Sequence, residues 1–115
     1  MRRVEKPWGH EEIWAETPDY LGKVLVILAG RRLSLQHHER KEETIRVTQG
    51  EMLLDLEDDA GVLVAHHLRP GDVRHIPPRR RHRMTGITDC EVYEVSTAHP
   101  DDVVRHSDDY GRVPG

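Results

Sequence analysis

Apolar and polar positions alternate along most of this chain with the period of a β-strand. From Gly22 the run Lys-Val-Leu-Val-Ile-Leu reaches Leu28 and stops at Ala29-Gly30. Leu33 to His38 reads as a second strand. Side chains alternate between faces, so Ser34, Gln36 and His38 share one side and Leu33, Leu35 and His37 the other. In a third strand Glu43, Ile45 and Val47 line one face, with Thr44, Arg46 and Thr48 opposite. Further strands are expected at Glu51 to Leu56, Val62 to Leu68, Val73 to Pro77 and Glu91 to Thr97. Turn-forming sequences separate them, among them Glu57-Asp58-Asp59-Ala60-Gly61 and Arg69-Pro70-Gly71-Asp72. Short strands at this spacing, punctuated by Gly and Pro, predict an antiparallel all-β sandwich or barrel. The polar end, residues 98–115, is expected as a turn of helix plus a tail.

Composition narrows this picture. With 115 residues the chain can build one domain around one modest core. It contains no Phe, so the core falls to Val, Leu and Ile, which suits strands. The net charge of -4 argues against general nucleic-acid binding. No apolar run approaches the ~20 residues that cross a bilayer. The first residues, Met1 to Pro7, lack the apolar centre of a signal peptide. The lone Cys90 cannot form an internal disulfide, and together these features point to the cytoplasm. Nine histidines direct attention to metal or proton chemistry.

Two clusters concentrate that chemistry. The first runs from Gly30 to Gly50 and carries Gln36, His38 and Glu43; the second runs from Gly71 and ends on His82. They resemble the two motifs of the cupin superfamily, the first at Gly30, His38, Glu43 and Gly50, the second at Gly71, Pro77 and His82. Three further segments resemble the cupin domain of mannose-6-phosphate isomerases, a domain also fused to mannose-1-phosphate guanylyltransferase. These are Lys6-Pro7-Trp8-Gly9, Leu33-Ser34-Leu35-Gln36-His37-His38 and Asp108-Asp109-Tyr110-Gly111-Arg112.

The resemblance covers nearly the whole chain. It implies a small single-domain cupin over residues 1–115, a double-stranded β-helix or jelly-roll barrel, with motif one at 30–50 and motif two at 71–84. It implies one divalent metal ion held by Gln36, His38, Glu43 and His82, with zinc first and iron, manganese, nickel or cobalt as alternatives. It also implies a sugar-phosphate isomerase that interconverts aldose and ketose through an enediolate. The alternatives are a non-catalytic cupin that binds a sugar or other small ligand, and an iron-dependent oxygenase. The partner is a small sugar or sugar phosphate, without nucleic acid or membrane. Small cupins commonly pair, so a homodimer is expected, covering Leu33 and Leu35.

The residues themselves support part of this. Gln36 and His38 share a face by parity alone. Glu43 shares its face with Ile45 and Val47, and a buried carboxylate needs a partner, which a metal can be. His75 has the parity of Val73 and is expected to point inward near His82, as an acid–base candidate beside Lys41 and Glu42. Arginine suits phosphate through its planar fork. Arg83 and Arg46 are therefore candidate substrate contacts, with Trp8 as a surface for a sugar. Arg79 stands where the second motif usually has glycine, so it is expected either at positive φ or in a reshaped turn, with recruitment to a phosphate as the alternative.

Overall fold

Inward and outward side chains alternate along β5 (Glu43–Gln49) and β10 (Cys90–Thr97), and this alternation sets the architecture. Glu43, Ile45 and Val47 of β5 face in; so do Cys90, Val92, Glu94 and Ser96 of β10, while Tyr93 and Val95 face out. The two strands pair antiparallel, with Ile45 opposite Glu94 and Val47 opposite Val92. The same side of the sheet is therefore apolar at one end and charged at the other.

The computed structural model describes residues 1–112. The sheet around β5 and β10 has six strands. It runs from β1 (Arg2–Lys6) through β2 (Gly9–Glu16) and β3 (Tyr20–Ile27) to β10, β5 and β8 (Val73–Ile76). A second sheet of five strands has the order β11 (Val104–Ser107), β4 (Leu35–His37), β9 (His82–Gly86), β6 (Met52–Glu57) and β7 (Leu63–Leu68). Every pairing is antiparallel, and among the described residues there is no helix. The two sheets enclose one core in a jelly-roll barrel, as expected from the strand pattern. Ile27, Ile45, Val47, Met52, Leu54, Leu68, Ile76 and Val92 are completely buried in it. Burying such a side chain contributes about 1.5–3 kcal/mol.

Four strands escape the hydrophobic pattern. β1 and β2 are rich in charge because β1 is a sheet edge, where charged side chains deter further pairing. β9 is short and has His82 and Arg83 among its buried positions. The polar end is not a turn of helix. Residues 104–107 form the edge strand β11, paired with β4, and this brings Arg105 opposite Gln36. Leu33 is partly buried and packs against the core.

Arg79 has φ 64°, the only non-glycine residue at positive φ among the described residues. The turn is kept because Arg79 N–H donates to the carbonyl of His38 at 2.6 Å, tying the second motif to the first. Its side chain is largely exposed, 4.0 Å from Glu39. The left-handed conformation costs roughly 1 kcal/mol for a residue with a Cβ. Arg79→Gly preserves the backbone bond, so a rise in melting temperature of roughly 3–6 °C is expected, with metal binding unchanged. A lower melting temperature would show that the Arg79 side chain stabilises the fold.

Candidate metal centre

Three buried side chains converge where the charged ends of the two sheets meet. Glu43 opens β5, His82 opens β9 and His38 follows β4. One ligand atom from each lies within 4.8 Å of the others. The imidazole centres of His38 and His82 are 5.1 Å apart.

Both rings are held from behind. His82 Nδ1 lies 2.9 Å from the Arg80 carbonyl, and His38 Nδ1 contacts the Asp102 carbonyl. A carbonyl only accepts, so each Nδ1 is the donor, and in the neutral ring each Nε2 keeps its lone pair. Neither Nε2 has a hydrogen-bond partner, although both are buried. His82 Nε2 approaches Glu43 Oε1 at 3.4 Å, too far for a good hydrogen bond. Buried polar atoms without partners are costly. Two imidazole nitrogens and one carboxylate oxygen that share this debt form a donor set for a divalent ion, with positions left for other oxygen ligands.

The segment before β11 supports this arrangement. The Asp102 side chain accepts backbone N–H bonds from Glu39, Arg40 and Lys41 at 3.1, 2.7 and 2.9 Å. These bonds hold its carboxyl down at about 2. The loop between His38 and Glu43 is thus fixed by the polar C-terminal region, whose sequence pattern alone predicted no such role.

Charge alternates away from the site along the inner face of the larger sheet. Lys41 Nζ lies 3.2 Å from Glu43 Oε2 and 3.1 Å from Glu94 Oε2. Lys23 Nζ lies 3.8 Å from Glu94 and 2.8 Å from Glu11. Burial works against charge on Lys41, but Glu94 and Glu43 outweigh it and hold the ammonium well above its ordinary range. Burial likewise opposes ionisation of Glu43, yet the contact with His82 and the charge of Lys41 keep it ionised. Burial and the nearby Glu43 raise Glu94. Burial lowers His38. For His82 burial is overcome by Glu43, and the net shift is upward.

A cavity of about 100 Å³ opens beside His38. Gln36, Lys41, Trp8, Glu11, Lys23 and Arg105 contribute to its wall. Gln36 also pairs across strands with His82, and its Oε1 accepts from Ser34 Oγ at 2.6 Å. Trp8 is at once wall and core.

Other candidates lie elsewhere. His75 faces outward and is about half exposed, with Nε2 2.5 Å from the Glu42 carboxylate, itself exposed. The parity argument fails because Ile76, not Val73, is the inward residue of β8; shifting the register by one reverses every side chain. Lys41 is buried at the cavity, paired with Glu43 and Glu94. Arg46 is exposed on the outer face of β5. Arg83 is buried and committed to backbone, donating to the Leu33 and Ser107 carbonyls at 3.0 Å each. Glu11, Lys23, Glu94 and Arg105 were not singled out from sequence. Strict alternation along Val92, Glu94 and Ser96 would have placed Glu94 inside.

Comparison with known proteins agrees with this geometry. The family model described as Cupin domain matches residues 23–96. Protein SchB of Streptomyces halstedii is 37% identical over 76 residues, which cover 66% of this chain and 51% of SchB. Xanthan biosynthesis protein XanB of Xanthomonas campestris pv. campestris is 31% identical over 122 aligned positions, covering 97% of this chain and 24% of XanB. The chain thus spans about half the length of one relative and about a quarter of the other. Among solved structures, KdgF from Halomonas sp. has a TM-score of 0.75 at 24% identity, with 88% of this chain and 89% of that one covered. The capsular polysaccharide assembling protein CapF of Staphylococcus aureus has a TM-score of 0.70 at 16% identity, covering 96% of this chain and 32% of CapF.

Proposed function

This chain belongs to the cupin domain family, and on that premise we propose that it is a metal-dependent isomerase of a small sugar-type hydroxycarbonyl compound. The observation that carries this reading is the convergence of two buried, unpartnered imidazole Nε2 atoms on Glu43 at the edge of a charged cavity. His38, Glu43 and His82 would hold the ion, with Gln36 beside them. Zinc, iron, manganese, nickel and cobalt all suit these donors. When bound, the ion supplies Lewis acidity toward carbonyl and hydroxyl oxygens. XanB, by its name a xanthan biosynthesis protein, supports a sugar-type ligand.

The chain's own residues supply the proton chemistry. Among the described residues Glu11 is the only carboxylate in the cavity wall, oriented by Lys23 at 2.8 Å. Glu11 takes the proton from the carbon that bears the hydroxyl and returns it to the carbon that bore the carbonyl. The hydroxyl proton moves to the former carbonyl oxygen, so atoms balance and no redox partner is needed. The Lys41 ammonium offsets the negative charge that develops on oxygen. Cavity acids and lysines that are already paired favour a second reading, a binding module without turnover.

One experiment separates the two. Metal-loaded protein is incubated with fructose 6-phosphate or mannose in deuterated water, and carbon-bound deuterium is followed by NMR. Exchange is expected in the wild type. In Glu11→Gln it should be lost by about 10²-fold or more, with metal content retained. Binding without exchange in the wild type would leave the binding module.

A further inference from the structure

The cavity wall contains five cationic side chains, and three are already paired. Lys23 is bound to Glu11, Lys41 to Glu43 and Glu94, and Arg112 to Asp108 by two bonds of 2.8 and 3.0 Å. Lys6 and Arg105 have no ion pair among the described residues. Lys6 lies on the edge strand β1. Arg105 is different: its Nε is buried and has no hydrogen-bond partner. A guanidinium donor withdrawn from water and left unmatched is unfavourable unless something else accepts from it.

The register of the smaller sheet shows where this donor lies relative to the metal centre. Arg105 of β11 is opposite Gln36 of β4, and Gln36 is opposite His82 of β9. Directly opposed residues of antiparallel strands project to the same face. Arg105, Gln36 and His82 therefore form one row across three strands. Two strand spacings, about 10 Å between backbones, separate the first from the last.

We propose that Arg105 is the anion anchor of the cavity, gripping a carboxylate or phosphate on a ligand whose hydroxyl and carbonyl oxygens lie toward His38 and His82. The inference rests on the reading of the cavity as a ligand site and names the ligand class: an anionic sugar derivative, not a neutral sugar. Planar forked donors match both carboxylate and phosphate oxygens. Gln36, between the two ends of the row, faces the middle of such a ligand. The anchor lies on the edge strand of the polar C-terminal region, far in sequence from both metal motifs.

The test is calorimetric titration of the metal-loaded full chain with three probes: fructose, fructose 6-phosphate and gluconate. The wild type is expected to bind at least one anionic probe about tenfold or more tightly than fructose. Preference for fructose 6-phosphate identifies a phosphate, and preference for gluconate a carboxylate. Arg105→Gln should lose that preference while its affinity for fructose, its metal content and its melting temperature stay near wild type. Arg105→Lys should recover part of it. Equal anion preference in wild type and Arg105→Gln overturns the proposal, as does a wild type that binds no anionic probe. Failure of the isomerase reading appears separately. Anion binding that depends on Arg105 without deuterium exchange leaves the anchor standing and removes the isomerase; exchange with no dependence on Arg105 does the reverse.

Discussion

His38→Ala, Glu43→Gln and His82→Ala are each expected to weaken divalent metal binding by at least about 100-fold. Residues that merely orient ligands typically contribute 10- to 100-fold to affinity, so loss of a ligand should exceed that range. Here the three donors come from separate segments, and no other His, Cys, Asp or Glu joins their cluster among the described residues. Proton competition sharpens the test. The folded-state pKa of His82 is raised, since Glu43 outweighs burial. In metal-stripped protein its stabilising contact with Glu43 is fully present below about 6.5. It is lost as the pH rises through the higher folded value. A metal ion must displace that proton. Affinity should therefore rise with pH across the same window, and binding within that window should release a proton from His82. His38, lowered by burial, should release none there. Calorimetry in buffers of different ionisation enthalpy reads the number released, and elemental analysis reads occupancy. Full occupancy in all three variants would place the metal elsewhere.

The sequence pattern located the candidate donors His38, Glu43 and His82 more securely than their surroundings, for physical reasons. Glu43, Ile45 and Val47 lie on a strand whose inward positions alternate without a break, so parity translates directly into facing, and Gln36 and His38 line the same cavity. His75 was misplaced because β8 has only four residues and Val73, though apolar, is about half exposed. On so short a strand one exposed valine is enough to invert the register. β1 and β11 were missed because edge strands need not be apolar, and β2, next to the edge, is also rich in charge. They are held by backbone pairing, which asks nothing of the hydrophobic pattern. The inward charges were missed for a related reason. Lys23 and Glu94 interrupt apolar runs, and each is tolerated only because the other strand brings its partner, a contact that no local pattern reveals. Arg83 shows the converse: adjacency to His82 in sequence puts it on the opposite face, where it binds backbone.

Lys41→Met is expected to destabilise the fold by about 3–5 kcal/mol at neutral pH, the range for removing one partner from a buried ion pair. Lys41 is only 6% exposed, Glu43 2% and Glu94 3%. Without the ammonium, two buried carboxylates face each other with no charge between them, and Glu94 is already raised by burial and by Glu43. In the wild type the folded-state pKa of Lys41 is raised. Its contribution is therefore complete below the unfolded value of about 10.5 and disappears only as the pH rises through the folded one. Throughout the neutral range the wild type keeps this stabilisation and the variant lacks it. The deficit should shrink as the pH falls toward the carboxylate range, because a protonated Glu94 no longer needs a counter-ion. Adding Glu94→Gln to Lys41→Met should recover a large part of the loss at neutral pH, since the two changes remove the pair together. Urea denaturation of the metal-stripped proteins at two pH values measures all of this. A Lys41→Met protein within about 1 kcal/mol of wild type at neutral pH would mean that water, not Lys41, compensates Glu43 and Glu94.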